Sequence, residues 1–412
     1  MRILVTSTLY PPIAVGGYER ECAVVVERLR RDHDVLVLTT DATLGLPPAP
    51  PQPDVRRELP ALTPDWRGAL RAPAATLRAV KAARRALQWR PDLVYAWNGT
   101  SFPQAVLRVL ADSGVPMAFR VCEHWFGRLF TGDQFLRELL PARRSLPRAA
   151  WSLGCRALDR LPSLRLDPGR RFPAAISWNS EAIRRMAGVP PSVEPVLERI
   201  CHSVPYNGAA YDGLRRDPAP EPEIAFIGRV TPAKGVNVAI EALAELQSRH
   251  GITARLVVAG PEEEGHGEQL RELAAARGVA DRVDWRGPLE RDGVAAVLSR
   301  AHALIVPSVW QEPFPLVTIE GAFARVPIVA ADVGGVGEGM RDGEHALLYP
   351  ATDPAAAADA LRRALTEKEE TAARVERAYR RAQDFRLERY LEAQARFVLD
   401  AHEAVGRRAR SA

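Results

Sequence analysis

Val306-Pro307-Ser308-Val309-Trp310-Gln311-Glu312-Pro313-Phe314-Pro315-Leu316-Val317-Thr318-Ile319-Glu320 is the stretch around which the chain is organised. An apolar run, Ala303 to Val306, ends in a loop carrying Glu312, and a second apolar run carries Glu320. The first run has the length of a buried strand, and the second is compatible with a helix. With a helix begun at Leu316, Glu320 sits one turn inside it. Glu312 stays in the loop ahead of the helix's positive end, where backbone N–H groups lack an intrahelical partner. The order strand, loop, helix therefore sets anion-holding amides between two carboxylates able to grip hydroxyls.

The same alternation extends in both directions. Around this stretch, strands are expected at Ile224–Ile227, Arg255–Ala259, Val283–Trp285, Ala303–Val306, Ile328–Ala330 and Ala346–Leu348, with helices between them. Nearer the start, strands are expected at Ile3–Thr6, Val35–Thr39, Leu93–Trp97, Met117–Cys122 and Ala175–Trp178. Helices fall at Tyr18–Arg31, Trp66–Trp89, Pro103–Asp112 and from Glu181, and an apolar run lies near Val196–Cys201. Continuous apolar strands separated by helices mean parallel sheets covered on both faces. Leu46–Pro64 is rich in proline and reads as an extended loop. The polar, Pro-rich stretch Asp212–Glu223 reads as a linker. The expected division is an N-terminal domain over 1–205, with an Arg-rich insertion at 124–172, then a linker over 206–222. A C-terminal domain over 223–384 follows, and a helix over 385–412 is expected to pack back on the N-terminal domain.

A chain of 412 residues is too long for one ordinary core. Hydrophobic residues make up 47% and charged ones 26%, the balance of a globular protein. No run of about 20 uncharged apolar residues is present, so no transmembrane helix is expected. Ile3-Leu4-Val5 is too short for a signal-peptide core and reads as a buried first strand. Cys22, Cys122, Cys155 and Cys201 are scattered, which predicts reduced thiols and a cytoplasmic setting. The net charge of +5 is too small and dispersed to imply nucleic acid.

Gly228-Arg229-Val230-Thr231-Pro232-Ala233-Lys234-Gly235 follows a strand and precedes a helix, delivering two cations to a sheet edge. Arg can fork onto two phosphate oxygens while Lys acts as a point charge. In open parallel sheets ligands bind outside the carboxyl ends of the strands, and the singled-out stretches all lie there. Asp32-His33-Asp34 precedes its strand and reads as a turn, so no strand-end Asp-x-Asp metal site is expected. No Gly-x-Gly-x-x-Gly follows the first strand, against a nicotinamide enzyme.

The motifs GRVTPAKG, VVAG, PSVWQEPFPLVTIEGAFARVPIVAAD, GGVGE and DGEHALLYP occur from Ile224 to Pro350. Before them stand PPIAVGGYER after the first strand, Glu123-His124 after the strand at Cys122, and Asn179-Ser180-Glu181. In order and spacing this combination resembles the retaining glycosyltransferases of family four, also called glycosyl transferases group 1. The resemblance implies an α/β GT-B fold, two facing Rossmann-like parallel-sheet domains with an inter-domain cleft and C-terminal helices. It implies transfer of a sugar from a nucleoside-diphosphate-sugar donor to a hydroxyl acceptor, with no cofactor and no metal. The acceptor would be a glycan, a lipid-linked glycan or a small-molecule glycoside.

The family's roles carry over position by position. Arg229 and Lys234 would bind the donor diphosphate, Glu320 the ribose hydroxyls, and Glu312 the donor sugar. The N–H groups of Phe314, Leu316 and Val317 would support sugar or phosphate. Gly16 and Gly17 would let the N-terminal loop approach the diphosphate or the acceptor closely, since no Cβ intervenes, and Gly228 would lie at the donor. His124 would face the reacting sugar from the N-terminal domain. Two positions depart from the pattern: Pro315 stands where the family often has Gly, and Ile200-Cys201-His202-Ser203-Val204-Pro205 where many members have Asn-Gly-Val-Asp. In the insertion, Arg side chains interleave with Phe126, Phe130, Trp151 and leucines, a pattern either for a solvated surface wrapped on the N-terminal domain or for contact with an anionic membrane surface and a lipid-linked acceptor. Competing readings are a catalytically silent GT-B partner of another transferase and a different sugar-nucleotide enzyme such as an epimerase.

Overall fold

The computed structural model describes residues 1–13, 17–62, 66–99, 102–129, 171–204 and 211–411. The expected membrane-facing insertion therefore lies, over 130–170, outside the described residues, as does Gly16. The chain divides into two compact units, Met1–Cys201 with Leu391–Ala412, and His202–Tyr390.

In the first unit seven parallel strands lie in the order β3-β2-β1-β4-β5-β6-β7. They are β1 (Arg2–Ser7), β2 (Asp34–Thr40), β3 (Val55–Leu59), β4 (Leu93–Ala96), β5 (Met117–Val121), β6 (Phe172–Trp178) and β7 (Val193–Ile200). The central strands β1, β4 and β5 are buried almost throughout, as a sheet covered on both faces requires. Helix α1 (Gly17–Leu29) turns Cys22, Val25, Val26 and Leu29 onto the sheet. The terminal helix (Leu387–Arg410) contributes Phe397, Val398 and Ala401 to the buried set.

Three expectations need correction here. Val55–Leu59 lies within the proline-rich stretch read as loop, yet it pairs in parallel with β2, with Val37 opposite Val55. Its middle is Arg56-Arg57-Glu58 and only its ends are buried, so an edge strand hid behind charged residues. Strand β6 begins at Phe172, inside the expected insertion. Strand β7 runs from Val193, earlier than the apolar run suggested; most of its residues are partly or fully exposed, as on the sheet's other edge.

The second unit is a six-stranded sheet in the order β10-β9-β8-β11-β12-β13. These are β8 (Glu223–Ile227), β9 (Arg255–Ala259), β10 (Val283–Gly287), β11 (Ala303–Val306), β12 (Ile328–Ala331) and β13 (Leu347–Tyr349), all parallel. Succession runs outward from β8 through β9 in one direction and from β11 in the other. The point between β8 and β11 is thus a topological switch, where loops diverge and leave a crevice. From Tyr211 the stretch read as a linker is laid along this unit. Tyr211 and Ala219 are buried, Arg216 donates to the carbonyls of Leu298 and Ala301, and Asp217 N–H donates to Ser299 O at 3.0 Å.

Candidate functional site

Two loops flank the switch, Gly228–Gly235 after β8 and Pro307–Pro315 after β11. The first is a tight path enforced by glycine. Gly228 N–H donates to Ala259 O at 3.0 Å, and a Cβ on Gly260 (φ 150°) would lie 1.8 Å from Gly228 O. Gly235 is left-handed at φ 68°, and a Cβ there would lie 1.9 Å from Pro307 O. The two loops are thus in backbone contact, and Val309 N–H donates to Ala233 O at 3.0 Å. A 3-10 turn over Pro232–Lys234 then aims Lys234 across the crevice.

Lys234 Nζ lies 2.6 Å from Glu312 Oε1. Ser308 Oγ donates to the same carboxylate oxygen. Glu312 is 3% exposed, so its charge is compensated by one cation and one hydroxyl rather than by water. Behind it, Gly335 N–H donates to Glu312 O at 2.7 Å and Gly334 N–H to Gln311 Oε1 at 3.0 Å. A Cβ on Gly334 (φ 55°) would come within 2.1 Å of Glu312 O, so the glycine pair seats the carboxylate loop.

Helix Leu316–Phe323 starts from Pro315, with no side chain capping it. The amides of Leu316 and Val317 occupy its first turn, where the helix itself offers no acceptor. Pro315 is the N-cap, so its missing N–H removes nothing from the helix ladder. Glu320 follows on this helix. No hydrogen bond reaches its carboxylate among the described residues, and burial pushes it up to about 7. Arg229 is exposed, and no carboxylate pairs with it among the described residues.

The structure therefore brings Arg229, Lys234, Glu312, Glu320 and the first-turn amides onto neighbouring loops of one sheet. Lys234 does not stand as a free cation, because Glu312 holds it. The ring of Phe314 is buried, so only its backbone faces any ligand role. In the first unit, Gly17 opens α1, and the next residue, Tyr18, donates its hydroxyl to Arg120 O at 3.0 Å. His124 is half-buried in the loop after β5, just before the turn Phe126–Arg128. Ser308, Gln311, Gly235 and the Gly334-Gly335 pair build the site without having been assigned a role. Their signal was present: each lies within a motif that follows a strand. Among the described residues, no three His, Cys, Asp or Glu side chains gather as a metal site would require.

Residues 215–381 match the glycosyl transferases group 1 family. A D-inositol 3-phosphate glycosyltransferase from Acidothermus cellulolyticus is 38% identical over 190 residues, 44% of this chain and 40% of that protein. The chain thus spans about two-fifths of that curated relative's length. Sucrose-phosphate synthase from Thermosynechococcus elongatus superposes with a TM-score of 0.67 at 19% identity, covering 98% of this chain and 99% of that one. HepE from Anabaena, solved with UDP and glucose, gives 0.61 at 19% identity over the whole of both chains. At such identity these two show the fold, which is GT-B.

Proposed function

We propose, from the match of residues 215–381 to the glycosyl transferases group 1 family, that the chain transfers a sugar from a nucleoside-diphosphate-sugar donor to a hydroxyl acceptor. Transfer would retain anomeric configuration and need no metal. The observation that carries this reading is the division of labour between two carboxylates on one loop-helix segment. Glu312 is buried and pinned by Lys234 and Ser308, a rigid acceptor for sugar hydroxyls. Glu320 has no side-chain partner among the described residues and is raised to about 7, as suits a carboxylate awaiting ribose hydroxyls.

Between them the amides of Leu316 and Val317, with Arg229, supply positive potential for the diphosphate. Lys234 would stabilise the charge that grows on the leaving nucleotide, with protein cations in place of a metal. The leaving phosphate would accept the acceptor's proton, so no separate base is required. We assign the hydroxyl acceptor to the first unit, where Gly17 and His124 follow β1 and β5. The relatives are named for an inositol phosphate, which adds a phosphorylated cyclitol to the glycan, lipid-linked and small-glycoside acceptors. Nucleotide sugars and free thiols such as Cys22, Cys122 and Cys201 fit a cytoplasmic setting. A peripheral place on the membrane's cytoplasmic face would suit a lipid-linked acceptor.

A thermal-shift panel of UDP-, GDP-, ADP- and dTDP-sugars tests the reading. One nucleotide should raise the melting temperature through linkage, by about 2.7 kcal/mol of added stability at a hundred times its Kd. The same donor should then be consumed when acceptors are supplied. No shift with any donor would overturn the proposal.

A further inference from the structure

His202 takes no part in the assignments above, yet it bears on the carboxylate loop twice over. Its ring centroid lies 4.8 Å from that of Phe314, tilted by 35°, and 5.7 Å from Phe385, edge-on. Phe314 and Phe385 are 5.4 Å apart, so the three rings form one cluster. The same imidazole places Nε2 at 3.2 Å from Glu338 Oε2. Glu338 belongs to the turn after Gly334-Gly335, whose amides bond to Glu312 O and Gln311 Oε1. Arg381 fastens that turn from behind, donating to Glu338 O at 3.0 Å and Gly339 O at 3.3 Å. Its guanidinium lies 4.8 Å over Phe385.

Glu312 is thus flanked by two supports, the Phe314 ring two residues on and the Gly334–Glu338 turn behind its carbonyl. One imidazole joins them. A phenylalanine at 202 would satisfy the ring cluster alone, and a glutamine would satisfy Glu338 alone. Only a ring that also carries a polar nitrogen serves both. The pair is largely shielded, at 28% and 19% side-chain exposure, so its hydrogen bond is not lost to water competition.

We propose that His202 is the positioning residue of the donor loop, fixing Phe314 against the Gly334–Glu338 turn and so holding Glu312 where the donor sugar would meet it. This rests on the donor-binding reading above. It predicts a split that general destabilisation would not produce: sugar recognition through Glu312 suffers, while nucleotide recognition through Glu320 and Arg229 does not.

The test compares wild type with His202→Phe, His202→Gln and Glu338→Ala, read first by hydrogen exchange of the segment carrying Gly334–Val336. In His202→Phe and Glu338→Ala those amides should exchange about tenfold faster, as the loss of one shielded hydrogen bond to a carboxylate implies. Combining the two substitutions should add little. His202→Gln should restore protection of the turn but not the ring contact. Kinetically, with UDP-glucose and UDP as probes, KM for the sugar nucleotide should rise about tenfold in His202→Phe, with UDP inhibition within about twofold of wild type. Unchanged exchange in His202→Phe, or equal losses for UDP-glucose and UDP, would overturn the proposal. If the wild type ignores UDP-glucose, the exchange result decides alone, and a failure of the transfer reading stays separate from a failure of this one.

Discussion

Glu21 in the first unit and Glu312 in the second are both buried carboxylates paired with a cation, and their surroundings differ. Arg120 lies 2.8 Å from Glu21, with side-chain exposures of 0% and 3%. Its guanidinium also donates to Ser177 Oγ at 3.1 Å and Cys201 O at 2.7 Å. Gln394 donates to that serine at 3.4 Å and accepts from Tyr95 at 2.7 Å. Each of these partners belongs to the fold itself. Around Glu312 the carboxylate is equally hidden at 4%, but its lysine stays 24% exposed, and Glu320 and Arg229 nearby have no partners among the described residues. Charges met by partners inside the fold make architecture, whereas a half-open cation beside open charged groups makes a place for a ligand.

The comparison breaks most visibly at Arg120. Substituting Arg120→Met leaves Glu21 charged and buried without its cation, which should cost about 3–5 kcal/mol. At about 2–4 °C per kcal/mol for a unit of this size, melting should fall by roughly 10 °C. Adding Glu21→Leu should recover much of that loss, because the stranded charge goes with it. Calorimetry reads both. A melting temperature unchanged in Arg120→Met would mean that water or another group compensates Glu21 and that the pair is not structural.

Lys234→Ala should separate activity from stability. Turnover with the donor chosen by the thermal panel should fall about 10²–10³-fold, the loss of one preorganised charge-stabilising group. The melting temperature should fall less than for Arg120→Met, because water can enter beside the half-open lysine and reach Glu312. Lys234→Arg should not restore turnover, since a planar fork cannot replace a point charge between Ser308 and Trp310. Near-normal turnover in Lys234→Ala would remove the catalytic role and leave the pair as structure.

The same contrast explains what could be read before the fold was known. Arg229, Lys234, Glu312 and Glu320 were legible because each stands in a motif that follows a strand, and the carboxyl ends of strands are where open parallel sheets bind ligands. The Arg120–Glu21 pair was not. Its partners are 99 residues apart and lie within a strand and a helix whose apolar pattern was all the sequence showed. His202 to Glu338 spans 136 residues and was equally silent. Strand β3 escaped because an edge strand needs no apolar run, and Arg56-Arg57-Glu58 looks like loop. Local order fixes which loops matter, while pairings across the sheet appear only once the strands are stacked.

The smallest effect belongs to Glu320, and it tests whether an open carboxylate behaves as the comparison requires. Burial raises its folded value to about 7, above the ordinary glutamate value near 4.5. The sign follows: the stabilisation from the protonated form is complete below the unfolded value and is lost as pH rises through about 7. Glu320→Gln, which stays neutral, should therefore exceed wild type in ligand-free stability above pH 7 by roughly 1–2 kcal/mol, allowing for partial exposure. The gap should close toward pH 4. Nucleotide binding should show the opposite preference, because ribose hydroxyls donate to the ionised carboxylate. In titration calorimetry, wild-type affinity should be about tenfold weaker at pH 6 than at pH 8, with a proton released on binding at pH 6. The glutamine variant should bind more weakly than wild type at pH 8 and show no such slope. A wild-type affinity flat from pH 6 to 8 would take the ribose away from Glu320, and with it the claim that its missing partner is a ligand.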